Sequence, residues 1–215
     1  MKTYIFDLDG TLLNTLGDLT AAVNVAMRKS GFPERSLDEV RQFIGNGIRN
    51  LILRAVPEGT SEEGSAKAFA DFRAYYSVHY KEETCLYDGI AELLDALQAE
   101  GAKLAIVSNK ADPVVQSINA HYFSKWDMLA IGELEGVPRK PAPDCVYLCM
   151  ERLGAAKEDC VYIGDSDVDI ETARNTGIPC IAVTWGFRPK EFLLESGAEQ
   201  LADSPAELYQ LLKNS

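Results

Sequence analysis

Short runs of consecutive apolar residues recur along the chain and stop abruptly at polar ones. Tyr4-Ile5-Phe6 runs into Asp7, Leu104-Ala105-Ile106-Val107 into Ser108, and Val161-Tyr162-Ile163 into Gly164-Asp165. An unbroken apolar run of this length suits a strand buried on both faces, as in a parallel sheet. Met128-Leu129-Ala130-Ile131 and Cys180-Ile181-Ala182-Val183 are further candidates. Between these runs the apolar positions fall at helical spacing, as in Ile90 to Glu100, where Leu93, Leu94 and Leu97 share a face. Strand and helix alternate, which predicts a doubly wound α/β sheet.

From Thr15 to Thr84 the pattern changes. Amphipathic helical stretches, Leu19 to Lys29, Leu37 to Phe43, Ile48 to Ala55 and Ala66 to Tyr80, follow one another with hardly any strand signal between them. Gly31-Phe32-Pro33, Gly45-Asn46-Gly47 and Pro57-Glu58-Gly59 break them. The expected organisation is therefore an α/β core of residues 1–14 and 85–215, with a helical lobe, 15–84, inserted after the first strand. No repeat or low-complexity tract interrupts it.

The 215 residues, 47% hydrophobic and 25% charged, suffice for one sizeable core and a smaller lobe. A net charge of -12, without a Lys/Arg cluster, repels nucleic acid and anionic lipid surfaces. Neither is expected as a partner. The same acidity would repel a phosphorylated metabolite, so that substrate requires a local cationic site. Met1 to Phe6 lacks the pattern of a signal peptide, and no apolar run is long enough to span a membrane. Five cysteines, Cys85, Cys145, Cys149, Cys160 and Cys180, contain no CxxC pair and read as reduced, buried thiols of a cytoplasmic protein.

In an open α/β sheet, ligands bind outside the carboxyl ends of the strands, so Asp7, Ser108 and Asp165 should converge. Asp7-Leu8-Asp9-Gly10-Thr11 puts two carboxylates on one side while Leu8 points into the core, and Gly10 permits a sharp turn. With Asp165 they form a hard, oxygen-rich site that suits Mg²⁺. A solvated turn also explains the first segment taken alone, and a helix cap with favourable first-turn charge also explains Asp165 and Asp169. Lys140 sits in the proline-stiffened Pro138-Arg139-Lys140-Pro141-Ala142-Pro143-Asp144. Ser108-Asn109-Lys110 offers a hydroxyl and backbone N–H groups to a phosphate, although a plain helix cap reads the same.

Taken in order, Asp7-x-Asp9-Gly10-Thr11, Ser108, Lys140 and Gly164-Asp165-x-x-x-Asp169 resemble the four motifs of the haloacid dehalogenase superfamily. The resemblance spans nearly the whole chain and is nearest to the phosphoglycolate phosphatase-like branch. It implies a Rossmann-like core with an inserted α-helical cap, and a Mg²⁺-dependent phosphatase working through an aspartyl-phosphate. It implies Asp7 as nucleophile, Asp9 as general acid and base, and Thr11, Ser108, Asn109 and Lys140 on the phosphate. Asp7, Asp9 and Asp165 would hold the metal, with Asp169 supporting them. Asn14 departs from the pattern, since relatives often carry an acid there.

Within the lobe, Gly45-Asn46-Gly47 and Arg49 can present N–H groups and a cation to a substrate. His79 and His121, and the tyrosines Tyr75, Tyr76 and Tyr80, read as structural. A sugar phosphomutase would use the same core. A signalling receiver domain has a similar acidic cluster, but the large insertion and the acid at Asp9 disfavour it. A non-catalytic binding protein of the same fold is the third alternative. The expected partner is a small phosphorylated metabolite: phosphoglycolate, a nucleotide, a sugar phosphate or pyrophosphate.

Overall fold

A computed structural model describes residues 1–45 and 47–214. In chain order the elements are β1 (Thr3–Phe6), β2 (Leu13–Asn14), α1 (Leu16–Lys29), α2 (Leu37–Phe43), α3 (Ile48–Ala55) and α4 (Glu62–His79). The chain continues through β3 (Cys85–Leu86), α5 (Ile90–Ala99), β4 (Lys103–Ala111), α6 (Asp112–Tyr122), β5 (Leu129–Glu133) and α7 (Asp144–Leu153). It ends with β6 (Cys160–Gly164), α8 (Asp167–Thr176), β7 (Cys180–Val183), α9 (Lys190–Glu195), β8 (Gln200–Ala202) and α10 (Pro205–Lys213).

Six strands form one parallel sheet in the order β5-β4-β1-β6-β7-β8. This is the Rossmann-like α/β fold. All four residues of β1 are buried, which explains why its sequence is a continuous apolar run rather than an alternating one. Burial of a side chain such as Ile5 or Phe6, both with no exposed surface, contributes about 1.5–3 kcal/mol each. The register pairs Phe6 with Ile106 on one side and Ile163 on the other, so Asp7 emerges level with Val107 and Gly164. Strand order runs outward from β1 through β4 to β5, then resumes on the other side with β6. That reversal opens a crevice at the carboxyl ends of β1 and β6.

The chain divides into two compact units, Met1–Leu13 with Leu86 onward, and Asn14–Cys85. The first holds the sheet and α5 to α10. Its core includes Cys145, Cys149 and Cys160 beside Ile5, Ala105 and Tyr162, so these thiols serve as small apolar groups. Cys180 is half-buried, while Cys85 is exposed, which the expectation of a buried thiol did not anticipate; all five cysteines are free.

The second unit is helical. Ser36 caps α2 by accepting from the Glu39 N–H at 3.2 Å, and Ser61 caps α4 by accepting from the Gly64 N–H at 3.1 Å. Buried Val23, Met27, Val40, Leu51, Ile52, Phe72 and Tyr76 form its interior. Tyr76 stacks on Phe72 at 5.3 Å, and the half-buried Tyr75 and His79 rings stack at 4.1 Å, so this aromatic group is packing. The buried Asp18 carboxylate accepts from the Glu83 N–H at 2.9 Å, the Thr84 N–H at 3.0 Å and the Thr84 hydroxyl at 2.7 Å. These bonds tie the first turn of α1 to the segment that closes the unit. Among the described residues no helix is long and apolar enough to cross a membrane.

Candidate active site

Three of the residues singled out in the sequence, Asp7, Asp165 and Asp169, offer carboxylate oxygens within 4.8 Å of one another. Asp7 follows β1, Asp165 follows β6, and Asp169 occupies the first turn of α8. Two glycines admit this crowding. A Cβ on Gly10, which has φ +88°, would lie 2.3 Å from Asp165 Oδ2, and one on Gly164 would lie 2.3 Å from Asp169 Cβ. Further along, a Cβ on Gly186 would meet Asp165 Cβ at 2.3 Å.

Lys140 enters the acidic group from the loop before α7. Its buried Nζ donates to Asp7 Oδ1 and Asp169 Oδ1, each at 2.8 Å, and to the Tyr162 hydroxyl at 3.0 Å. All three ammonium protons are thereby placed. The Tyr162 hydroxyl, having accepted from Lys140, donates to the Val107 carbonyl at 3.2 Å. Asp169 Oδ2 accepts from the Ser166 N–H at 3.1 Å and hydroxyl at 2.6 Å, which fixes its rotamer.

Burial, then the Asp169 charge, pushes the Asp7 carboxyl up to about 7 even with Lys140 pulling it down. Asp165 is raised as well, by burial and then by the Asp169 and Asp7 charges, against the opposing hydrogen bonds from the Phe187 N–H and Thr11 hydroxyl. Burial pulls the Lys140 ammonium down, but Asp169 and Asp7 outweigh it and hold it well above the ordinary lysine range. One lysine is therefore paired with two of the three carboxylates, Asp7 and Asp169. The remaining negative charge, carried on hard oxygen donors, fits a divalent cation such as Mg²⁺.

The other expected residues take different places. Asp9 stands outside the triad, its two oxygens accepting from Lys110 Nζ at 2.7 and 3.0 Å. Buried Thr11 donates its hydroxyl to Asp165 Oδ1 at 3.2 Å. Ser108 accepts from the Lys110 N–H at 3.2 Å, and Asn109 donates its amide to the Lys140 carbonyl at 2.9 Å, holding the loop that carries this lysine. In the helical unit, Gly45 and Gly47 both have positive φ, and Arg49, in the first turn of α3, is exposed; Asn46 lies outside the described residues.

Five residues take parts that were not read from the sequence. Lys110 pairs with Asp9. Tyr162 was counted only as a strand residue. The segment after β7 brings the Phe187 N–H to Asp165 Oδ2 at 2.7 Å and the Trp185 indole N–H to the Thr11 carbonyl at 3.0 Å. Arg54 donates to the carbonyls of Phe43 at 2.8 Å and Gly45 at 3.2 Å, fixing the approach to the glycine pair.

The family model described as haloacid dehalogenase-like hydrolase matches residues 4–183. A phosphoglycolate phosphatase of Vibrio parahaemolyticus is 31% identical, over 99% of this chain and 96% of its own. Phosphoglycolate phosphatase 1 of Pseudomonas aeruginosa is 32% identical, over 96% of this chain and 78% of its own. A crystal structure from Lactobacillus delbrueckii subsp. bulgaricus, whose assignment as a phosphoglycolate phosphatase is itself inferred, superposes with a TM-score of 0.93 at 35% identity over 98% of both chains. The chain belongs to the haloacid dehalogenase-like hydrolases. Within that family it is a phosphatase of the phosphoglycolate phosphatase-like kind.

Proposed function

We propose that the protein is a Mg²⁺-dependent phosphatase that hydrolyses a small phosphomonoester, foremost 2-phosphoglycolate, through an aspartyl-phosphate on Asp7. The observation that carries this reading is the 2.8 Å contact of buried Lys140 with an Asp7 carboxylate at the mouth of the sheet's crevice. A nucleophile and a phosphate-neutralising cation then stand side by side.

In the first half-reaction an Asp7 oxygen attacks phosphorus, the bond from phosphorus to the ester oxygen breaks, and Asp9 gives that oxygen a proton. In the second, Asp9 takes a proton from water, the water oxygen attacks phosphorus, and the bond to Asp7 breaks. Lys140 offsets charge on the phosphoryl oxygens throughout, and the resemblance assigns Thr11, Ser108 and Asn109 to the same phosphate. Asp7, Asp165 and Asp169 are the carboxylates suited to hold Mg²⁺, which when bound neutralises them and the substrate phosphate together. In this reading Asp169 takes the metal-holding place expected of Asp9, whose two oxygens accept from Lys110 instead.

The residue 15–84 insertion acts in this reading as a cap that limits substrates to small molecules. Five free thiols and the acidic surface suit a cytoplasmic setting without nucleic-acid or membrane partners. Turnover of 2-phosphoglycolate with Mg²⁺, lost in EDTA and restored by added Mg²⁺, is the expected result. Full activity after exhaustive chelation would remove the metal from the proposal, and a screen in which another phosphorylated metabolite is far superior would remove the substrate.

Arg49, with the Gly45-Asn46-Gly47 turn before it, is the proposed reader of the substrate carboxylate. A charge-assisted hydrogen bond of this kind is worth about 1.5–3 kcal/mol. Arg49→Ala should lower kcat/KM for phosphoglycolate about tenfold or more and change it little for a neutral aryl phosphate. Equal losses on the two substrates would exclude that role.

A further inference from the structure

The geometry points to Lys110 as the positioning residue that sets the rotamer of Asp9, an inference that rests on the proton-transfer role given to Asp9 above. The Lys110 side chain is 4% exposed, and its Nζ touches both Asp9 oxygens, at 2.7 and 3.0 Å. A buried ammonium is tolerated only when paired, so this contact is what allows the lysine to be inside.

The lysine itself springs from a fixed backbone. Its N–H donates to Ser108 Oγ at 3.2 Å. Its carbonyl packs against β5 at the one kind of residue that admits it, since a Cβ on Gly132 would lie 2.6 Å from Lys110 O and 2.5 Å from Asp112 Cα. The Gly132 N–H in turn donates to Asp112 Oδ1 at 2.8 Å, which closes the clamp. The Asp9 backbone is held too, by a bridge to Leu13, so what remains to be set is its side-chain rotamer. Asp9 follows β1 in the turn that Gly10 makes at φ +88°, its side chain is 20% exposed, and among the described residues the hydrogen bonds to its carboxylate come from Lys110.

Proton transfer requires that carboxylate within hydrogen-bond reach of the reacting oxygen, and small misplacements cost about a hundredfold in rate. Without a partner an Asp side chain samples several rotamers. Two contacts from a rigid strand select one of them.

The test uses substituted aryl phosphates whose phenols range from acidic to weakly acidic. Nitrophenolate leaves without a proton, whereas a poor leaving group needs one from Asp9. In Lys110→Met, kcat/KM should fall less than about threefold for the nitrophenyl ester and tenfold or more for the poorest leaving group, which steepens the leaving-group slope. Asp9→Asn should steepen it at least as much. The slope does not depend on how much of a preparation is active, so partial misfolding cannot imitate the effect; Lys110→Gln is measured beside it should the apolar variant not fold. A wild-type slope in the Lys110 variants, with Asp9→Asn steepened, overturns the role of Lys110 alone. An unaltered slope in Asp9→Asn overturns the acid assignment beneath it.

Discussion

Purified Asp7→Asn is expected to lose at least about four orders of magnitude in turnover on every phosphomonoester, in line with removal of a catalytic nucleophile from other hydrolases. The amide has nearly the shape of the carboxylate, so the β1 turn and its bond from the Asp7 N–H to the Ile163 carbonyl, 2.8 Å, should persist. What disappears is the anion. A neutral amide neither attacks phosphorus nor supplies a charged oxygen to a hard cation. Lys140 keeps Asp169 at 2.8 Å as a counter-ion, so the lysine is not left unpaired in the interior. Wild type incubated with substrate and quenched in acid should carry a hydroxylamine-sensitive phosphate on Asp7, and the variant none. Turnover within about tenfold of wild type would exclude the covalent route through Asp7.

The carboxylates of the site were legible because their signal is local: an apolar run buried on both faces must end somewhere, and Asp7 and Asp165 end two adjacent strands. The helical lobe was legible for the same kind of reason, with α2 and α3 matching the periodicity at Leu37–Phe43 and Ile48–Ala55. Other features depend on contacts distant in sequence. The strand expected to stop at Val107 runs on to Ala111 as β4, and that extension places Lys110 within reach of Asp9, 101 positions away. Thr11, read as a phosphate ligand through the resemblance, directs its hydroxyl to Asp165, 154 positions on. Trp185 and Phe187 contribute from a segment with neither helical nor strand periodicity, one through an indole N–H and the other through a backbone N–H that no residue type announces. Short edge elements such as β8 carry too few residues for a period to emerge.

The same carboxylate that makes Asp7 reactive makes it costly to the metal-free fold, and the cost has a defined pH dependence. An exposed Asp loses its proton near pH 3.9, whereas burial and the neighbouring Asp169 hold Asp7 protonated up to about 7. Between these values the folded chain binds a proton that the unfolded chain has released, so raising the pH favours unfolding across the window from about 4 to 7. A shift of about three units corresponds to about 4 kcal/mol, fully developed above pH 7. Asp7→Asn has no proton to release. In EDTA the variant should therefore melt close to wild type at pH 4 and become the more stable of the two as the pH rises, by roughly 10 °C at pH 8 for a domain of this size. Mg²⁺ should reverse the order at pH 8, because it binds the folded wild-type site and offsets the repulsion there, while the amide weakens that binding in the variant. Thermal melts of both proteins at pH 4, 6 and 8, with EDTA and with Mg²⁺, measure each term. If the gap between the two stays constant with pH in EDTA, Asp7 is not the strained carboxylate, and if Mg²⁺ stabilises the two equally, Asp7 does not help to hold it.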